Sequence, residues 1–244
     1  MERAEYHRLA TIEDHHWWYR SIHELILSTV KKISGTKKPH ILDVGCGTGG
    51  LTKQLGRFGY IIGCDISELA LTLGTKKHLK LVQGSINKLP FRDNCFDIVI
   101  GVTVIGQRGI NDQTAINELV RVTKPTGYVI VVVSAFQSLS SHHDKAVHLL
   151  RRYSTKSITT MFNQKVQIIE NHYIFSFIFS IFLFKRLTER VLSLSTTVSD
   201  LALPPKLINE CLIQLCQWEW KIHQIFPLPF GSSILTVARK HQSR

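Results

Sequence analysis

The chain has little cysteine and little methionine, five and two in 244 residues. Cys46, Cys64, Cys95, Cys211 and Cys216 are odd in number and include no Cys-x-x-Cys pair, which argues against a disulfide framework or a zinc site. All five are expected to be reduced core residues, and no metal is expected. Acidic residues are also scarce, 18 against 30 Lys and Arg, so the net charge is +12 and the pI is near 9.6. That balance suits an ordinary solvated surface, an anionic membrane surface or nucleic acid. No dense basic run and no RNA-binding motif is present, which disfavours nucleic acid. Long apolar runs are missing too. Tyr173–Phe184 is mostly apolar but only twelve residues long, and a spanning helix needs about 20. We expect no spanning segment. That run reads as a buried strand leading into a core helix, or as an interfacial segment beside Lys185 and Arg186. Residues 1–20 are polar and charged without a signal peptide. A cytoplasmic location is expected, with at most peripheral contact at the inner face of an anionic membrane. Repeats and low-complexity tracts are absent.

What is present is alternation. Apolar positions in residues 4–34 fall near helical spacing and predict one or two cap helices. Strands are expected at 40–45, 60–65, 79–83, 97–104 and 128–134, with helices at 50–58, 67–74 and 112–123. The order predicts an α/β fold: a doubly wound, Rossmann-like, mostly parallel seven-stranded sheet with helices on both faces. A helical insertion should precede the last strand. Ser154 should cap a helix over 154–163, followed by strands at 166–175 and 233–239. Pro204-Pro205 should open a helix whose stripe of Leu207, Ile208, Cys211, Leu212, Leu215 and Trp218 is expected to be mostly core.

Residues 41–49, Ile-Leu-Asp-Val-Gly-Cys-Gly-Thr-Gly, run an apolar strand into a glycine-rich turn, with Asp43 two residues before the first glycine. Glycines allow unusual torsions and a close approach to a ligand, and the helix that follows aims N–H groups over the turn. This is the form of a nucleotide-cofactor loop. Gly45-Cys-Gly47-Thr-Gly-Gly50 also fits G-x-G-x-x-G, with Asp65 twenty residues on, as in dinucleotide enzymes. Asp43 speaks against NAD, because a carboxylate would repel its phosphates. It suits S-adenosyl-L-methionine, which has no phosphate and has a cationic amino-acid tail.

Three segments in order resemble the class I S-adenosylmethionine-dependent methyltransferases: Asp43–Gly49; Gly84-Ser-Ile-Asn-Lys-Leu-Pro-Phe-Arg-Asp-Asn-Cys-Phe-Asp97; and Glu118-Leu-Val-Arg-Val-Thr-Lys-Pro-Thr-Gly127. The flanks resemble a bacterial subgroup of the type 11-like enzymes. They are Glu13-Asp-His-His-Trp-Trp-Tyr-Arg20, Ser141-His-His-Asp144 with Arg151-Arg-Tyr153, Leu228-Pro-Phe-Gly-Ser-Ser, and Val237-Ala-Arg-Lys240. The resemblance implies a single methyltransferase domain over 1–244: a helical cap (1–36), a cofactor-binding core (37–135) and an acceptor-side half with the last strand (136–244).

By that resemblance, Gly45, Cys46 and Gly47 line the methionine and ribose, and Asp43 meets the methionine amino group. Asp65 accepts the ribose hydroxyls, Ile66 packs on adenine, Ser85 and Ile86 sit at the adenine edge, and Thr103 borders the methionine. Two positions depart from the family pattern. Ser85 stands where an Asp is common, and Thr103-Val-Ile-Gly-Gln107 replaces the common D-V-L-E-H. His143 is the favoured general base, followed by His16. Trp17 and Trp18 are expected to pack under the cap, and Arg151 and Arg152 are candidates to clamp an anion or to lie on the surface as a helix-end pair. The implied partner is a small-molecule or lipid-linked acceptor, anionic or saccharide-bearing. Alternatives are a cofactor-binding protein with impaired catalysis and an NAD-dependent oxidoreductase. A nucleic-acid methyltransferase is disfavoured by the missing N/D-P-P-Y/F string.

Overall fold

The computed structural model describes residues 3–35, 38–75, 77–139, 144, 147–162, 164–181, 183, 202–223 and 225–242. Seven strands form one sheet: β1 (His40–Val44), β2 (Tyr60–Asp65), β3 (Leu81–Gln83), β4 (Phe96–Val102), β5 (Thr123–Ser134), β6 (Val166–Ile174) and β7 (Ser233–Lys240). Their order is β3-β2-β1-β4-β5-β7-β6. The first five run parallel, and β7 lies antiparallel between β5 and β6. The order reverses between β1 and β4. That crevice, at the carboxyl ends of the strands, is where α/β sheets of this kind bind ligands.

The helices are α1 (Arg3–Ile12), α2 (Trp17–Ser34), α3 (Gly50–Leu55), α4 (Glu68–Thr75), α5 (Asp112–Val122), α6 (Thr155–Met161) and α7 (Lys206–His223). Ser154 caps α6 in a reciprocal capping box with Ser157. The cysteine expectation holds only in part: Cys46, Cys64 and Cys216 are buried, Cys95 is half-buried and Cys211 is exposed.

The apolar run of β5 shows why the sheet is covered on both faces. Side chains alternate across a strand. Val129, Val131 and Val133 therefore join one core with Leu42, Val44, Ile116 and Leu119. Ile130 and Val132 join the other, with Ile41, Ile98, Ile22, Ile26 and Val30. Burying each such side chain contributes about 1.5–3 kcal/mol. The N-terminal cap thus shares a core with the sheet, because α2 buries Ile22, Ile26 and Val30 at helical spacing.

The run after β6 divides between core and surface. Ile174, Phe175 and Ile178 are buried, whereas Ile181 and Leu183 are exposed. The remainder to Arg186 lies outside the described residues. The helix after Pro205 corrects the sequence expectation. Its inward face is Asn209, Ile213, Cys216, Glu219 and His223, while Leu207, Ile208 and Trp218 are exposed. Polar residues hold the inward face: the Trp17 N–H donates to Asn209 Oδ1 at 2.8 Å, and the Glu219 carboxylate accepts the N–H groups of Ser176 and Phe177 at 2.7 and 3.0 Å.

Beneath this helix, His172 of β6 packs its ring against His223 at 4.9 Å and Trp220 at 5.8 Å. Burial and the neighbouring His223 push its pKa down to about 4. The unfolded chain takes up this proton near 6.5 and the folded chain only near 4. The stabilisation is therefore complete above 6.5 and is lost as the pH falls towards 4. Urea unfolding of wild type and His172→Phe should show the variant gaining on wild type between pH 7 and pH 4, by up to about 3 kcal/mol.

Candidate functional site

β1 is buried on both faces and delivers Asp43 beneath the glycine loop. Asp43 is only 2% exposed and accepts the Thr52 hydroxyl at 2.6 Å. Burial raises its pKa to about 7, against the opposing Thr52 hydrogen bond. It therefore lies under the turn, fixed to α3. The turn is tied to the neighbouring strand, with the N–H groups of Gly45 and Cys46 both donating to the Cys64 carbonyl. Gly45 has φ +73, and a Cβ there would stand 2.9 Å from the Cβ and Cγ2 of Val104. Glycine is required both by torsion and by the closeness of the loop after β4.

Asp65 ends β2 and is buried. Its Oδ2 accepts the Gly47 N–H at 2.9 Å and its Oδ1 accepts the Ser67 N–H at 2.8 Å. Ser67, through its hydroxyl, caps α4 by accepting the Ala70 N–H at 3.3 Å, so Asp65 is not the cap. An ionised carboxylate has about four acceptor sites, so Asp65 keeps acceptor capacity for a ligand. Ile66 is 64% exposed at the mouth of the pocket. The Ser85 hydroxyl accepts the Asn87 N–H at 3.2 Å, and Ile86 is buried. Thr103 takes φ +52 without being glycine, a strained torsion of the kind that gathers at functional loops. The Thr103 carbonyl accepts the Gln107 side-chain amide at 2.8 Å.

Asp43, Gly45, Cys46, Gly47, Asp65, Ile66, Ser85, Ile86 and Thr103 all line one pocket at the switch point of the sheet. Sequence reasoning passed over Tyr6, Leu9, Ile22 and His23, which the cap adds to the wall, and Ile110 from the loop after β4. Glu13 and Tyr19 line it too. Glu13 is buried, pairs with Lys77 and abuts Gly50 at the start of α3, which holds the cap down over the glycine loop. Its place in the E-x-x-H-W-W segment was a usable signal. Burial raises the Cys46 thiol and the Tyr19 phenol far above their usual ranges and lowers His23 to about 4. None of the three is charged near neutral pH.

Among the candidates His16, Trp17, Trp18, Arg151 and Arg152 for acceptor chemistry, Trp18 alone lines the pocket. His143, with His142, lies outside the described residues. His16 is buried as the cap of α2, with Nδ1 accepting the Trp18 N–H at 3.2 Å. Trp17 is packed edge-on against Phe175, and Trp18 reaches the pocket. Arg151 and Arg152 are each engaged by a carboxylate of the chain. Arg151 holds Asp112 through Nε at 2.6 Å and Nη2 at 2.9 Å. Arg152 holds Asp144 through Nε at 2.9 Å and Nη2 at 2.7 Å. Asp112 also accepts the Tyr153 hydroxyl at 2.7 Å and the Gly106 N–H at 3.2 Å. Arg151 therefore fastens the loop after β4 that borders the pocket, through Asp112 and the carbonyls of Gln107 and Ile110. The two downstream segments likewise fasten each other. Arg121 pairs with Glu118 at 2.6 Å and donates to the carbonyls of Phe91 and Leu89, and Glu118 accepts the Leu89 N–H.

This strand order, with a glycine loop over a buried acid and a second acid ending β2, meets an independent match. The family model described as "Methyltransferase domain" covers residues 42–131. Residues 42–131 are thus similar to the methyltransferase domain family. The domain is similar to demethylmenaquinone methyltransferases, 39% identical over 105 residues in Streptomyces avermitilis and 36% over 149 in Staphylococcus aureus. These matches cover 41% and 55% of this chain and 45% and 58% of those proteins. The chain thus spans about half the length of the curated relatives it matches. A putative methyltransferase from Bacillus halodurans shares the fold, with TM-score 0.58 and 18% identity over 88% of this chain and 99% of that one. The fold is also shared with a chain of the Haloferax volcanii complex between the Trm112 methyltransferase activator and the putative methyltransferase, with TM-score 0.64 and 17% identity over 99% of this chain and 96% of that one.

Because the Asp43 pKa is raised, its contribution to stability is complete below about 3.8 and is lost as the pH rises through 7. Relative to wild type, Asp43→Asn should therefore gain stability from pH 4 to pH 7, by roughly 3–4 kcal/mol at most, and hold that gain above pH 7. Chemical denaturation of the two proteins across this range measures it, and parallel profiles would show that Asp43 is ionised throughout.

Proposed function

We propose that the protein transfers a methyl group from S-adenosylmethionine to a small-molecule or lipid-linked acceptor. The observation that carries this reading is the pair of buried carboxylates, Asp43 and Asp65, on either side of the Gly45–Gly47 turn in one pocket. The residues suit that cofactor. The turn leaves no room for a Cβ at Gly45, Asp65 keeps acceptor capacity for a diol, and exposed Ile66 offers an apolar face to a base. Asp43 would draw a cationic amino group, and that group would lower its pKa again. A pyrophosphate over the same carboxylate would be repelled, which disfavours the NAD reading.

Bound there, the cofactor supplies an activated methyl that passes to an acceptor nucleophile by in-line displacement. The protein's part is alignment and exclusion of water. Trp18, Ile22, Val104 and Ile110 line the pocket with apolar surface, which supports a hydrophobic acceptor. The curated relatives are named for demethylmenaquinone, which agrees with an apolar substrate class. Gln107 supports the second reading, cofactor binding with impaired turnover, because its amide cannot take a proton and it stands where the family pattern has His.

Calorimetry with S-adenosylhomocysteine and with NAD tests the proposal. Wild type should bind the first and not the second. Asp65→Ala should weaken binding by roughly tenfold to a hundredfold, the worth of a charged hydrogen bond. Ser85→Asp should tighten it by about tenfold, as a charged acceptor replaces a neutral one. Binding of NAD alone would overturn the proposal. Cofactor binding without methyl transfer to any cell extract would favour the second reading.

A further inference from the structure

We propose that the outward face of α7, continued by Ile225 and Phe226, is a docking surface for an anionic phospholipid bilayer. The argument begins with the helix itself. Leu207, Cys211, Trp218 and Ile222 are spaced by four and seven residues, which places them in one stripe. Ile208 borders it. The opposite stripe, Asn209, Ile213, Cys216, Glu219 and His223, is the buried one. A surface helix normally turns its polar side outward, whereas the outer side of α7 is largely apolar. Leu207 is 77% exposed, Trp218 65% and Ile225 88%, with Phe226 and Leu203 also exposed. An apolar surface of this extent on a folded chain marks an interaction site.

The charges select the partner. Lys206 and Lys221 stand exposed near the two ends of the stripe. The carboxylates of the helix are spoken for: Glu210 pairs with Arg20 at 3.0 Å, and Glu219 is turned inward onto Ser176 and Phe177. The whole chain carries +12. A second copy would bring the same charge and be repelled, and nucleic acid offers no apolar counterpart to an Ile, Phe and Trp stripe. An anionic bilayer satisfies both features, attracting the basic protein over the Debye length and accepting the apolar face about 5–10 Å into the headgroup region. Tryptophan and phenylalanine are residues that settle at that boundary. No helix among the described residues is long and apolar enough to cross a membrane, so the contact would be peripheral. It does not depend on the reaction proposed above.

The test is co-sedimentation of the full chain with phosphatidylglycerol–phosphatidylcholine vesicles and with phosphatidylcholine vesicles, at low salt. The charge-neutral double variant Trp218→Ser, Ile225→Ser is compared with wild type. Both positions are exposed, so circular dichroism and S-adenosylhomocysteine binding should match wild type. Wild type should favour the anionic vesicles, and the variant should lose about tenfold or more of that partition, in keeping with the apolar area withdrawn. Equal sedimentation of wild type and variant would overturn the proposal by assigning the attraction to charge alone. So would absence of wild-type binding. Light scattering that shows a wild-type dimer and a variant monomer would assign the face to a second copy instead.

Discussion

The carboxylate of Asp65 accepts one N–H from the glycine loop and one from the residue that opens α4. Two connections that leave different strands are thereby held to a single side chain at the carboxyl edge of the sheet. The loop at Gly45 depends on this, because its torsion and its closeness to Val104 allow no adjustment toward a bulkier residue. The pocket is a consequence of that fixed distance between β1 and β2, and parallel hydrogen bonding along both strands keeps it. A buried carboxylate is costly unless it is paired or well hydrogen-bonded. Asp65 meets that condition with backbone donors, which a change of side chain elsewhere does not remove.

The other wall of the pocket is built on a second carboxylate. Asp112 starts α5 and gathers the Arg151 guanidinium, the Tyr153 hydroxyl and the Gly106 amide. This converts the turn after β4, with its strained Thr103, into a fixed border. Arg152 and Asp144 repeat the device one residue on. Breaking the buried Arg152–Asp144 pair costs about 3–5 kcal/mol, since it leaves a charge without a partner. Arg151, Tyr153 and Gly106 are in turn tied to the start of α5.

The strand and helix order was legible because period-two and period-3.6 patterns are strong wherever one face is buried. The glycine loop was legible because its torsions demand a residue type that can be read directly. α7 was misread for a physical reason. Periodicity gives the axis of a two-sided helix, but both sides here carry apolar residues, and the buried side is marked by Asn209 and Glu219, whose partners Trp17 and Ser176 are distant in sequence. Arg151 and Arg152 were misread in the same way. A basic pair looks outward until Asp112 and Asp144 are brought beside it. The contributions of Tyr6 and His23 to the pocket depend on how the cap folds back over the loop, and no local pattern encodes that.

The position of β7 bears on how the chain is made. It follows both of its neighbours in sequence yet lies between them, and the whole hydrogen-bonding ladder of β6 is made with it. During synthesis β5 presents an open edge and β6 has no strand to join until the residues after 233 are available. Lys240 then closes α5 from below, its ammonium donating to the carbonyls of Val120 and Thr123. A nascent chain stalled before that strand would carry a five-stranded parallel sheet with an unprotected apolar border, the kind of species that chaperones hold.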